Sequence, residues 1–341
     1  MRLSVLDQST ASKGRAQDVA IRETLALARH CDALGYHRYW VSEHHNASNI
    51  VGTAPEVLMA AIAATTPRIR VGSAGVMLPH YSALKVAEQF RVLEAIAPGR
   101  IDLGIGRAPG SDRLTARALN PQAQDVHDQF PQQVQELQHW VSGMPLPEGH
   151  PFRNINAQPT GPGAPAIWIL GSSDYGAQLA AFLGLPYAFA YFFSDGIGVD
   201  EALDLYRKNF RASAGNPKPI ATICVFALAA DTEEDAWYQF KSRERSSINR
   251  EFGIRMPLIS PEEAAAHTYT AAEMAIAEKL RRKAIVGSAE QVSARLSELA
   301  QRLDLDELVV VTWTYDSAPR HRSYELLAQA FDLDNKAASA A

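Results

Sequence analysis

Short runs rich in β-branched and aromatic residues alternate with longer amphipathic runs along the chain, and this alternation most narrows the folds open to it. Leu3 to Leu6 reads as a strand; Ala20, Thr24, Leu27, Ala28, Cys31 and Leu34 then recur at helical spacing, and Gly35 supplies a stop. Further strand-like runs are Arg38 to Ser42, Ile69 to Leu78, Ile101 to Ile105, Ala166 to Leu170, Tyr187 to Phe192, Ile220 to Ala229 and Glu307 to Thr312. Helical patterns such as Tyr81 to Ala97 and Ser288 to Leu303 separate most of them. Eight strands with crossover helices leave two α/β architectures, a (β/α)8 TIM barrel and a doubly wound sheet. A length of 341 residues favours the barrel, for which about 250 residues plus insertions is usual. Two segments exceed a minimal barrel: the Pro-, Gly- and Asn-rich stretch from Gly143 to Pro165, before strand 5, and the stretch from Asp231 to Ile285, after strand 7, with two helical patterns where one would suffice. Such insertions cover a catalytic mouth or build an oligomer contact. The expectation is one barrel domain over residues 1–334 and a frayed Ala-rich tail at 335–341.

Composition limits the partners. Hydrophobic residues make up 47% and charged residues 21%, enough for a large core. The net charge is −5 and Lys and Arg are scattered, so neither nucleic acid nor a membrane surface is expected, and a small-molecule substrate is. The N-terminus reaches Asp7 and Gln8 before a secretory apolar core could form, and no later apolar run spans a bilayer, which predicts a cytoplasmic protein. Cys31 and Cys224 lie far apart without CxxC spacing and read as reduced, packed thiols.

Four stretches carry chemistry. In "YWVSEHHN" (Tyr39 to Asn46), strand alternation puts Trp40, Ser42 and His44 on one face and Tyr39, Val41, Glu43 and His45 on the other. The two imidazoles then cannot easily ligate one metal while the strand stays regular, and no further His or Cys sits at a ligand spacing. Proton transfer suits the stretch better, with one histidine at the barrel mouth and Glu43 buried nearby to orient it; a structural polar cluster is the alternative. "VGSAGVMLP" (Val71 to Pro79) is a strand interrupted by four small residues, either a bulge or backbone shaped for a planar ligand. "GIGRAPGSD" (Gly104 to Asp112) has Pro109 at the third glycine position of G-x-G-x-x-G, with Gly110 one place late, so a dinucleotide site is not supported. There Arg107 is either a phosphate grip or a solvated side chain on a tight turn. "LGSSDYGAQLAAFLG" (Leu170 to Gly184) opens a helix, where Ser172, Ser173 and Asp174 fit simple N-caps as well as a phosphate site. No G-x-x-x-x-G-K, G-x-S-x-G or H-E-x-x-H motif is present, which removes the common nucleotide-hydrolase, serine-hydrolase and zincin readings.

In order along the chain, "YWVSEHHN", "RVGSAGVMLPHYSALKVAEQFRVLEAIAPGRIDLGIGRAPGSD" (Arg70 to Asp112), "GSSDYGAQLAAFLGLP" (Gly171 to Pro186) and "VGSAEQV" (Val286 to Val292) resemble the bacterial luciferase-like family of flavin-dependent monooxygenases. The resemblance implies a (β/α)8 barrel, usually a homodimer, that binds FMN reduced by a separate reductase and uses molecular oxygen, through a flavin hydroperoxide, to oxidise an organic substrate. By position it implies His44 as the active-site imidazole; Glu43 and His45 then read as the residues that hold it in place. Ala74 and Gly75 would support the flavin ring, in some relatives through a cis peptide. Arg107 would grip the phosphate, and Ser172, Ser173, Tyr175 and Gly176 would receive it, at strand ends different from the usual phosphate site of flavin barrels. Arg113 and Arg117 are available as a second phosphate arginine, and the sequence does not choose between them. Gly106 and the Ala-Pro-Gly after Arg107 depart from luciferase itself, so a long-chain aldehyde is not the implied substrate. The absence of an NAD(P)H motif agrees with a two-component system. Two other readings keep the fold: hydride transfer from a reduced deazaflavin without oxygen, and a flavin-binding protein without turnover.

Overall fold

The computed structural model describes residues 1–121, 127–213 and 215–333, so the expected tail at 335–341 lies outside the described residues. Eight parallel strands close into a barrel: β1 (Arg2–Asp7), β2 (Arg38–Val41), β3 (Arg70–Ser73, continued by the short β4, Val76–Met77), β5 (Ile101–Gly106), β6 (Ala166–Gly171), β7 (Tyr187–Phe189), β8 (Ala221–Ala230) and β10 (Glu307–Val311). Because β10 pairs with both β8 and β1, the barrel has no open edge.

Side-chain alternation sorts each strand between two cores. Leu3, Val5, Tyr39, Val41, Leu308 and Val310 point outward and pack with helix residues such as Leu27, Cys31 and Ile62. Leu6, Trp40, Trp168, Ala188, Cys224 and Val309 fill the interior, as barrel strands require. Toward the strands' N-terminal ends, Asp102 accepts hydrogen bonds from Arg38 (2.8 Å), Arg70 (2.6 Å) and the Trp40 indole (3.0 Å). Burial alone would raise the Asp102 carboxyl's pKa, but the two guanidiniums hold it below the usual value. This paired network fixes the barrel base and leaves the other end for chemistry.

The expected strand Ile69 to Leu78 is broken. Gly72 pairs with Asp102 and Val76 with Ile105, so four steps on one strand face three on the other, and the extra residue falls in the run of small side chains. This is the geometry of a bulge; the Ala74–Gly75 peptide within it is cis, and Leu78–His80 form a 3-10 turn. The run expected over Tyr187 to Phe192 stops at Phe189, where Tyr191–Ser194 turn into a short helix. After β8 the chain makes three helices rather than two: Glu233–Glu251, Pro261–Ala266 and Ala271–Lys283. The added boundary comes from local capping, since Ser260 accepts from the Glu263 N–H and Thr270 forms a capping box with Glu273. A strand not expected from the sequence, β9 (Ile285–Ser288), pairs with the far half of β8, Ala227 to Ala230. Among the described residues no helix is long and apolar enough to cross a membrane.

Candidate active site

At the C-terminal ends of the barrel strands a cavity of about 690 Å³ opens, lined by Leu6, Trp40, Phe130, Phe189, Phe192 and Val309 among its apolar residues. His44, Ala74, Gly75, Arg107, Ser172, Ser173, Tyr175 and Gly176 line the same cavity. Glu43 and His45 do not; they stand behind its wall.

His44 lies just beyond β2. Its backbone N–H donates to the Gly52 carbonyl (2.9 Å), and its Nδ1 lies 3.2 Å from Ser42 Oγ. Ser42 is buried one residue past the end of β2, on the side that alternation assigns to His44, so the ring is held from within its own loop. Burial lowers the His44 pKa to about 4, with Arg255 and His45 adding to the effect and Glu43 opposing it. The imidazole is therefore neutral at pH 7.

Glu43 does something other than hold the His44 ring. Its carboxylate accepts from the Met77 N–H (3.0 Å) and the Tyr81 hydroxyl (2.7 Å) and pairs with His45 Nε2 (2.8 Å). A buried carboxylate with three partners is satisfied, and here it ties the β2 loop to β4. Burial first, and Glu43 second, push the Tyr81 phenol well above its ordinary pKa, so it stays a donor. The same loop is stitched to the turn after β5: His45 N–H donates to the Gly110 carbonyl (3.4 Å), Asn46 donates to Asp112 (3.2 Å), and His80 Nε2 lies 2.7 Å from the Pro109 carbonyl. Gly110 has φ +59°, and a Cβ there would come within 2.9 Å of Met77 Cε and 3.2 Å of the Glu43 carbonyl. The glycine that sat one place late for a dinucleotide fingerprint serves this close approach.

On another part of the wall, Arg107 leaves the end of β5 and lays its guanidinium 3.8 Å from the Tyr175 ring centroid. It is exposed and makes no ion pair among the described residues. Tyr175 belongs to helix Asp174–Leu183, whose N-cap, Ser173, makes no side-chain capping bond. The capping role that the sequence allowed for Ser173 is thus not taken up, and the first-turn residues Tyr175 and Gly176 line the cavity together with a cation and two serines. Gly176 sits against the wall, with its would-be Cβ 3.4 Å from the Tyr187 ring and 3.6 Å from Gly171 Cα, which brings the helix start close to β6. Arg113 and Arg117 lie on the exposed helix Arg113–Leu119 and do not line the cavity. No cluster of three or more His, Cys, Asp or Glu suited to a metal occurs among the described residues.

The sequence profile described as luciferase-like monooxygenase matches residues 1–306. The chain belongs to the luciferase-like monooxygenase family. It is 44% identical over 330 residues, 96% of this chain and 98% of the other, to the uncharacterized protein YwcH of Bacillus subtilis. It is 37% identical over 335 residues, 97% of this chain and 98% of the other, to N-acetyl-S-alkylcysteine monooxygenase of the same organism. The crystal structure of apo-MsnO8 superposes with a TM-score of 0.88 at 35% identity, covering 97% of this chain and 98% of that one.

Within this luciferase-like barrel the sequence reading missed two kinds of residue. Ser42, the partner of His44, was within reach: the period-2 rule places it on the same face two positions away. Tyr81 and His80, which hold Glu43 and the Pro109 turn, carry no local signal, because their partners are 38 and 29 positions distant. The aromatic lining from Phe130, Phe189 and Phe192 is likewise assembled only by closure of the barrel.

Proposed function

We propose that this luciferase-like protein is a monooxygenase that uses reduced FMN and molecular oxygen to place one oxygen atom on a small organic substrate. The observation that carries the reading is that a neutral imidazole, a small-residue backbone wall and an unpaired arginine beside an uncapped helix start line one cavity, though they come from four different strand ends. The cavity volume, about 690 Å³, lies within the range of roughly 300–1,000 Å³ of small-molecule sites.

FMN fits this donor set. Arg107 and the N–H groups at the start of helix Asp174–Leu183 suit a phosphate dianion, with Ser172 and Ser173 as further donors. The Ala74–Gly75 backbone offers a flat wall for the ring, and Trp40, Leu6 and Val309 keep the cavity dry. When bound, reduced FMN supplies the electrons for oxygen activation. His44, held at Nδ1 by Ser42, can take up and return a proton at Nε2, while Glu43 and His45 keep its loop in place. In this reading a separate reductase supplies the reduced FMN and the active form is a homodimer.

The test is anaerobic titration of the purified protein with reduced FMN, riboflavin and a reduced deazaflavin, followed by labelled oxygen in the presence of substrate. The relative's name makes S-alkylated N-acetylcysteines the first substrates to try. Tightest binding of FMN, one labelled oxygen atom in the product, and turnover from NAD(P)H only after a reductase is added are the expected results. Tighter binding of the deazaflavin with oxygen-independent turnover would replace this reading with hydride transfer; binding without any turnover would leave a flavin-binding protein.

A further inference from the structure

Four arginines are buried among the described residues, and three have partners. Arg38 pairs with Asp102 and Glu307, Arg320 with Asp7, and Arg91 donates to the carbonyls of Val141 and Pro159. Arg243, on helix Glu233–Glu251, is 8% exposed and has no hydrogen bond and no ion pair among the described residues. Its helix neighbours show that partners were within reach: Glu244 pairs with Arg281 and Arg245 with Glu273. Arg243 instead turns toward the barrel, with Cζ 4.3 Å from the Trp313 ring centroid and 5.4 Å from that of Phe226. Stacking on two aromatic rings offsets part of the cost of burying a cation, while its N–H donors, without a partner among the described residues, are not sealed from accessible space as Nε and Nη2 of Arg320 are.

What the guanidinium faces is a small cavity of about 50 Å³, lined also by Tyr191, Phe192, Asp195, Ser247 and Lys283. Phe192 lines both this cavity and the main one, so the two meet at its side chain. A space of this size, above the roughly 10–15 Å³ that admits one water, takes a few waters or one carboxylate and is far too small for a flavin. Asp195 is the acidic residue on its wall: it forms no ion pair with Arg243, but its charge favours the guanidinium against burial and Arg250, and Lys283 donates to the Asp195 carbonyl (3.5 Å). Cations outnumber the carboxylate here.

We propose that Arg243 is the anion-recognition group of this enzyme, so that its substrate is a small organic carboxylate with its apolar body in the main cavity and its carboxylate past Phe192 against the guanidinium. The inference rests on the monooxygenase reading only for the word substrate; the binding itself is independent of flavin. A planar guanidinium held in place by two rings is already oriented for a bidentate carboxylate, and the anion completes the hydrogen bonding that the fold leaves open.

The test uses the full-length protein without flavin and a panel of straight-chain and phenyl-substituted carboxylic acids, each paired with its primary amide. Affinities are read from tryptophan fluorescence, which Trp313 reports, and from calorimetry. Wild type should bind at least one acid tenfold or more tighter than its amide, a size typical of losing one charged partner. Arg243→Met, which keeps the stem over Trp313, should bind that acid no better than the amide; Arg243→Lys should recover part of the preference, and Asp195→Asn should leave or raise it. Equal binding of acids and amides by wild type, failure of every acid to bind, or a preference that survives in Arg243→Met would overturn the proposal. FMN titration of the same samples reads separately: unchanged FMN affinity in Arg243→Met shows an intact fold, and a protein that binds no FMN but prefers acids would lose the flavin reading and keep the arginine site.

Discussion

His44 is uncharged through the whole physiological range, because burial, with Arg255 and His45 on the same side and Glu43 against it, brings its pKa to about 4. A neutral imidazole held at Nδ1 can accept a proton at Nε2 and hand it back, whereas an imidazolium could not act as base. His44→Ala should therefore leave FMN affinity within about twofold while cutting turnover by roughly 10²–10⁴, and any acid limb that His44 sets in the wild-type rate profile should centre near pH 4 rather than 6.5. A variant that turns over normally would remove His44 from the chemistry. Arg107 makes the opposite split. In the proposed binding mode its charge meets the FMN phosphate, so Arg107→Ala should weaken FMN by about tenfold or more and riboflavin hardly at all. Equal loss of both ligands would show that the arginine only supports the wall, through Tyr175.

Between β3 and β5 the strands approach so closely that two glycines of β5 have different costs. A Cβ on Gly104 would collide with the Ser73 carbonyl oxygen, a backbone atom that cannot swing aside, whereas one on Gly106 would meet nothing nearer than Met77 Sδ at 3.6 Å. Gly104→Ala should destabilise by about 3 kcal/mol and loosen FMN binding through the neighbouring Ala74–Gly75 wall, while Gly106→Ala should stay within about 1 kcal/mol. Urea denaturation of the two variants side by side checks this; similar costs would mean that the bulge has slack. The run of small residues was visible in the sequence, with a bulge and a planar ligand both open as explanations. The structure supplies a third reason, since a Cβ on Gly72 would come within 2.5 Å of Trp40 and one on Gly75 within 2.8 Å of the Gly104 carbonyl oxygen. Close strand packing demands these glycines whether or not a ligand binds, and no local pattern could reveal it, because the partners lie about thirty positions away.

For the molecule as a whole, the barrel was legible because eight strand-like runs alternate with helical ones over a length that suits it. Partners brought together by closure, such as Glu43 with Tyr81 or Arg243 with Trp313, were not, since nothing in either local sequence refers to the other. We place the interface of the proposed homodimer at the groove where Val57, Val92 and Ile96 are exposed on helices Pro55–Thr65 and Ala83–Ile96. Val92→Asp should shift the light-scattering mass of wild type toward that of a monomer, and an unchanged mass would move the interface elsewhere.

Acid sensitivity is also a property of the whole fold. Burial lowers His37, His44 and His321 each to about 4 from an ordinary 6.5. Between those two values the unfolded chain binds protons that the native histidines refuse, so stability is complete above pH 6.5 and declines as pH falls toward 4. The carboxylates act lower: Asp102 is held below 3.8 and Glu273 near 2 instead of 4.5, so their contributions are lost only as pH falls below about 4. The two windows hardly overlap, which lets denaturation at pH 7, 5.5 and 4.5 isolate the histidines. Wild type should lose stability across that series, and His321→Gln, remote from the cavity lining, should lose less, because one group that must stay neutral in the native state is gone. A wild-type stability flat from pH 7 to 4.5, or an unchanged slope in His321→Gln, would mean that these histidines protonate in the folded protein as readily as in the unfolded chain.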